Sequence, residues 1–193
     1  MKSMLSGTIS ILAGVVVLLG LTVLATAQSV PRPTPQELDS LFATLKAAQS
    51  EPEARVAELA IWAAWIKSGS DEIDKLTGLA LEAMQTQDYQ EALATLDVVV
   101  AKMPDFAEGW NKRATVLYIV GDLDRSMADI DKVLALEPRH FGAISGIGLI
   151  QIAKGNKPAA LEAYRKVIEI YPLSPGALQS IESLQKEVEG DPT

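Results

Sequence analysis

The residues able to carry chemistry are few and stand apart. His140, the single histidine, lies in EPRHF, and an imidazole works as a base or metal ligand only beside a nucleophile, an acid or further ligands. No such partner accompanies it, so it reads as a loop histidine. Ser145 stands in AISGIG, without the GxSxG elbow and preceding strand that expose a nucleophilic serine. Gly142, Gly146 and Gly148 imitate a phosphate loop but fall inside a predicted helix with no strand before it. Asp122, Asp124, Asp129 and Asp131 lack the central glycine and terminal glutamate of a calcium loop and read as a solvated helix face. With no cysteine, there is no thiol for a zinc site, a redox pair, a disulfide or a lipid. The expectation is a chain that is not an enzyme, with no catalytic, cofactor-binding or metal-binding residues.

Binding remains, and charge narrows it. The 193 residues carry 17 Lys+Arg against 25 Asp+Glu, a net charge of -8. Nucleic acids and anionic membranes need clustered cations, so no nucleic-acid partner is expected. The first 27 residues hold no acid: Met1-Lys2 is a short positive start, Ile9 to Leu24 is almost wholly apolar, and Ala25-Thr26-Ala27 is the small-x-small pattern that a signal peptidase accepts. Residues 1–27 are therefore expected to be a secretory signal cleaved after Ala27, leaving no membrane association, with 28–35 a Pro-rich linker. The rival reading is an uncleaved inner-membrane anchor over residues 9–27, since about 17–25 apolar residues span a bilayer. The lack of a basic cluster after the run favours cleavage.

The elements that must present a binding surface are announced by a repeat. Pro104, Pro138 and Pro172 recur every 34 residues, and the frame between them agrees. Counting from Ile73, Ala107 and Phe141, the fourth position is Leu76, Trp110 and Ile144, the eighth Ala80, Ala114 and Gly148, and the twentieth Ala92, Ser126 and Ala160. The twenty-fourth is Leu96, Ile130 and Tyr164, and the twenty-seventh Val99, Val133 and Val167. Apolar residues recur at helical intervals, broken by turn signals at Gln87-Asp88, Gly121-Asp122 and Gly155-Asn156. Each repeat is thus two antiparallel helices, brought close by the small eighth and twentieth residues and ended by a proline that lacks a donor N–H.

This frame resembles the tetratricopeptide repeat, with units at 73–106, 107–140 and 141–174. The middle unit matches that family's pattern at Trp110, Ala114, Tyr118, Gly121, Asp122, Lys132, Leu134 and Pro138. Arg113 and Gln151 depart from it where apolar residues are usual, and Lys157 stands where Tyr89 and Leu123 hold the corresponding place. The resemblance implies an all-α fold, a right-handed superhelix of helix-turn-helix units. Residues 36–69 read as an N-terminal helix pair, a degenerate repeat or a cap, with stripes at Leu38, Leu41, Phe42, Leu45 and at Val56, Leu59, Trp62, Ile66. Residues 175–189 read as a capping helix with its stripe at Leu178, Ile181 and Leu184.

Trp62, Trp65 and Trp110 read as packing residues, with Trp65 the one candidate for an exposed anchor. The resemblance places partners in a concave groove lined by the first helices. Positions five, nine and twelve then face it: Thr77, Leu81 and Met84, Asn111, Thr115 and Tyr118, and Ser145, Leu149 and Ile152. Asn111 and its neighbour Lys112 are too few to grip a C-terminal carboxylate. The expected occupant is an amphipathic helix or extended apolar segment of a protein partner, anchored by Leu81, Met84, Tyr118 and Leu149 with Asn111 bonding its backbone. The alternative is a groove filled by the N-terminal helices or closed by tight curvature.

A narrower resemblance is carried by FAEGWNKRATVLYIVGDLDRSMADIDKVLALEPRHFGAISG and IWAAWIKSGS. They are similar to small exported alphaproteobacterial tetratricopeptide proteins associated with cell-envelope integrity. That implies a periplasmic adaptor. An assembly chaperone, for apocytochrome or outer-membrane clients, and a regulatory subunit of a peptidoglycan enzyme are the alternatives.

Overall fold

The computed structural model describes residues 30–189; the expected signal and its cleavage site lie outside the described residues. The order is α1 (Pro35–Ala47), α2 (Glu51–Trp65), α3 (Asp71–Gln85), α4 (Tyr89–Lys102), α5 (Ala107–Ile119), α6 (Leu123–Leu136), α7 (Phe141–Ala153), α8 (Lys157–Ile170) and α9 (Pro175–Glu189). No strand occurs among the described residues, and none of their helices is long and apolar enough to cross a membrane.

Each repeat turns in the same way for the same local reason. The chain leaves α3, α5 and α7 through one residue in the left-handed region: Gln87 at φ 61°, Gly121 at 86° and Gly155 at 75°. The next side chain, Asp88, Asp122 or Asn156, then caps the second helix by accepting from the backbone N–H three residues on. The second helices stop two residues short of Pro104, Pro138 and Pro172. Between paired helices the small residues are buried: Ala80 against Ala92, and Ala114 against Ser126, whose hydroxyl donates to the Ala114 carbonyl at 2.7 Å. At Gly148 the space is taken by the Tyr164 ring, 2.7 Å from where a Cβ would stand.

The N-terminal pair does not stack ahead of α3 as a further repeat. Phe42, Leu45, Ile61 and Trp65 share one core cluster with Phe141, Ile144, Tyr164 and Tyr171 of the third repeat. α2 runs beside the start of α5, where Lys112 lies over the Trp62 ring, and across the start of α7, where Trp65 stacks on His140 and Trp62 lies on Gly142, and it reaches Tyr171 with Glu58. The stripe expected on α2 is corrected: Val56, Leu59 and Ile66 are exposed, and the inward face is Ala54, Ala57, Ile61, Ala64 and Trp65. This helix is apolar nearly all round, so its periodicity cannot say which side is inward, and small alanines allow the closer approach. On α9, likewise, Leu178 is exposed, while Ala177 and Leu184 are buried and Ile181 packs beside them.

The linker is tied down rather than merely extended. Arg32 donates to the Ser68 carbonyl and pairs with Asp105 at 2.9 Å. Thr34 and Glu37 then close a reciprocal cap at the start of α1, with Pro35 at its first position. One turn further along α1, Arg139 bonds Asp39 at 2.6 Å and lies over the Phe42 ring.

Candidate interaction groove

The groove stripe is only partly assembled. Asn111, Thr115 and Tyr118 of α5 face Ser145 and Leu149 of α7 across one apolar cleft of about 120 Å³, with Gly142 and Gly146 on its floor. Thr115 and Leu149 are exposed, and Tyr118 and Ser145 are half-buried. The remaining expected residues lie elsewhere. Thr77 is buried, while Leu81 and Met84 are half-buried, Met84 packed on the cluster of Ala80, Ala83 and Leu96. Ile152 lines a separate depression beside Lys157 and Leu184, where α7 meets α8 and α9.

The polar residues of the stripe also bond inside the protein. Asn111 is largely buried and donates one N–H to Glu108 Oε2 at 2.9 Å, while it still lines the cleft with its carboxamide. Lys112 forms an ion pair with the other oxygen, Oε1, and sits over the Trp62 ring.

Glu108 is the centre of a buried network that the sequence did not disclose. Its carboxylate is almost fully buried, and Oε2 also meets His140 Nε2 at 3.1 Å. Burial pushes the carboxyl up, but the His140 bond and the Lys112 charge outweigh it and hold it below the usual carboxylate range. His140 lies in the loop between α6 and α7, as read, but it is completely buried there and caps α7, its Nδ1 accepting from the Ala143 N–H. That bond requires Nδ1 to be unprotonated, so the proton sits on Nε2 and is donated to Glu108. Trp65 is corrected. It is no exposed anchor but lies buried with its ring stacked on His140. Glu108 and Lys112 at i and i+4 look like an exposed helix pair, and nothing local reveals that α2 will cover them.

Arg113, which departs from the repeat's apolar habit, is explained by a second network. It makes a two-pronged bond with Asp129, Nε to Oδ2 at 2.7 Å and Nη2 to Oδ1 at 2.8 Å, and reaches Asp97 with Nη1 at 2.6 Å. Asp129 is buried, which corrects its assignment to a solvated face; the guanidinium also lies over Trp110. Beside the far end of the groove, the Tyr171 hydroxyl donates to Glu58 at 3.4 Å. Burial, with Glu58 adding to it, pushes that phenol up to about 12.

No group of three or more metal-ligating side chains occurs among the described residues. What the surface offers is an apolar cleft whose neighbouring cations are held by internal carboxylates, an arrangement suited to holding a polypeptide.

Comparison with known proteins identifies the repeat and the fold. A family model described as tetratricopeptide repeat matches residues 77–139 and 112–175. A protein of Rhizobium etli named as a TPR repeat-containing protein is 37% identical over 158 residues, covering 82% of this chain and 78% of its own. The first TPR of Spaghetti, solved bound to an HSP90 peptide SRMEEVD, superposes with a TM-score of 0.59 at 17% identity, over 63% of this chain and 96% of that one. The Yersinia enterocolitica type III secretion chaperone SycD, solved with a peptide of the translocator YopD, gives 0.57 at 13% identity, over 61% and 95%. At these identities the two structures speak for the fold.

Proposed function

The chain belongs to the tetratricopeptide repeat family, and from that premise we propose that it is a non-catalytic adaptor of the periplasm that serves cell-envelope assembly or integrity. Its partner is a protein or peptide, held in the α5–α7 cleft as an amphipathic helix or an extended apolar segment. The observation that carries this reading is the cleft itself: Tyr118 and Leu149 face each other across it with Leu149 43% exposed. An apolar side chain left in water beside a concavity gains by burial, about 25 cal/mol for each Å² removed. The expected export signal ending at Ala27 supports the compartment.

A photo-crosslinking residue placed at Leu149, with a second placed at the exposed Val98 of α4 as control, tests the surface in intact cells. Discrete adducts from Leu149 and none from Val98 are expected. The reverse pattern would move the interface off the groove. Intact mass tests the location, with a mature chain starting at Gln28 expected in the periplasmic fraction. A chain retaining Met1 in a membrane pellet that resists salt would replace this with an anchored protein.

A further inference from the structure

The α5–α7 cleft does not end at the first turn of α7. Gly142 and Ser145 line it and also line a second cleft of about 490 Å³. The far wall of that cleft is α2, with Glu51, Arg55, Glu58 and Trp62, and its end is Tyr171 with the first turn of α9. The two clefts adjoin along α7 at Gly142 and Ser145, beside the Trp62 ring, with α5 walling one and α2, an element outside the repeats, walling the other.

The two ends differ in chemistry. Tyr118 and Leu149 make one end apolar. At the other, Glu58 is shared between Arg55 at 2.8 Å and the Tyr171 hydroxyl, whereas Glu51 is exposed and forms no ion pair among the described residues. Tyr171, pushed up to about 12, stays protonated and brings no charge. The start of α9 contributes roughly half a positive charge, so two carboxylates against one guanidinium and that dipole leave this end negative. Neither Lys112 nor Arg113 is available to an acidic partner, since Glu108 holds one and Asp129 with Asp97 the other.

We infer that the groove takes an extended polypeptide segment with a Leu or Met at the Tyr118–Leu149 end and a Lys or Arg at the Glu51–Glu58 end, an inference that rests on the adaptor reading above. From Leu149 to Gly142 the helix rises about 10 Å, the span of about three extended residues, and Glu51 and Glu58 lie beyond Gly142 across the second cleft, so the two anchors stand at least four residues apart.

The test uses the purified protein, in whatever processed form the cell delivers, on an array of immobilised ten-residue peptides. One Leu and one Arg are moved independently through an Ala/Ser background. Binding is expected to require the Leu and to rise roughly fivefold with the Arg at that spacing, the factor that one exposed ion pair supplies. The Arg increment, but not the Leu requirement, is expected to vanish in Glu51→Gln, an exposed change that leaves the core untouched, and in about 0.5 M salt. Leu-dependent binding that ignores Arg, or that prefers Glu in its place, overturns this inference and leaves the adaptor reading standing. Binding that never exceeds the Leu-free background overturns both.

Discussion

The His140 imidazole lies flat on the Trp65 indole, with 4.0 Å between ring centroids and 7° between their planes. The pair joins α2 to the junction of the second and third repeats, because the same imidazole caps α7 and bonds the buried Glu108. Removing it takes away a stack, a cap and a carboxylate's partner together. His140→Ala is expected to cost about 2–4 kcal/mol, read from urea denaturation midpoints. A loss under about 0.5 kcal/mol would mean that α2 is not held there.

Glu108 gives the acid dependence its sign. Its folded carboxyl lies below its ordinary value of 4.5, so its contribution is complete above that value and lost as pH falls through the depressed one. Stability measured from pH 7 to 3 is expected to fall less steeply below about 4.5 in Glu108→Gln than in the unaltered protein. Parallel curves would show that the carboxylate is not favoured by folding.

Asp129 and Asp131 are two residues apart on α6, and only the first should matter to stability. Asp129→Ala leaves the Arg113 guanidinium, 16% exposed, with only the solvent-facing Asp97. The expected cost is about 2–4 kcal/mol, while Asp131→Ala, at an exposed position, leaves the midpoint where it was. Equal effects would contradict the buried two-pronged pair.

At Gly148 even a Cβ meets the Tyr164 ring at 2.7 Å, so Gly148→Leu is expected to destabilise by about 1–3 kcal/mol through overpacking. Gly148→Ala combined with Tyr164→Leu should recover much of what Gly148→Ala alone loses, since the two share one space. Additive losses would place the clash elsewhere.

Gln87 adopts φ 61° where its counterparts in the other repeats are glycines. Gln87→Gly is expected to stabilise by about 0.5–1 kcal/mol, with relief of the left-handed conformation outweighing the added chain entropy. Gly121→Ala, at φ 86°, is expected to destabilise by a similar amount. Matching signs in the thermal midpoints would mean that these turns are not equivalent.

How much was legible follows from how far apart the deciding contacts lie along the chain. The three helix pairs, the places where they turn and their terminal prolines were readable because every one is settled within a single repeat. The small residue at the eighth position of the second repeat meets its partner only twelve residues later, Ser126 bonding the Ala114 carbonyl, and Gly148 meets Tyr164 sixteen residues later. The facing of Tyr118, Thr115, Ser145 and Leu149 followed from the same frame, since neighbouring repeats stack by a fixed operation.

The course of α2 was not readable. Its apolar residues surround the helix, so no stripe chose an inward side, and the anchors of the N-terminal pair are distant: Glu58 of α2 bonds Tyr171 across 113 positions of sequence, and Asp39 of α1 bonds Arg139 across 100. The sequence by itself determined the repeat, its register and its helices, because propensity, capping and period act locally. Only the tertiary structure decided that His140, Glu108 and Trp65 share one buried network, that Asp129 faces Arg113 rather than water, and that α2 walls the groove, because burial depends on which distant surface arrives to exclude the water.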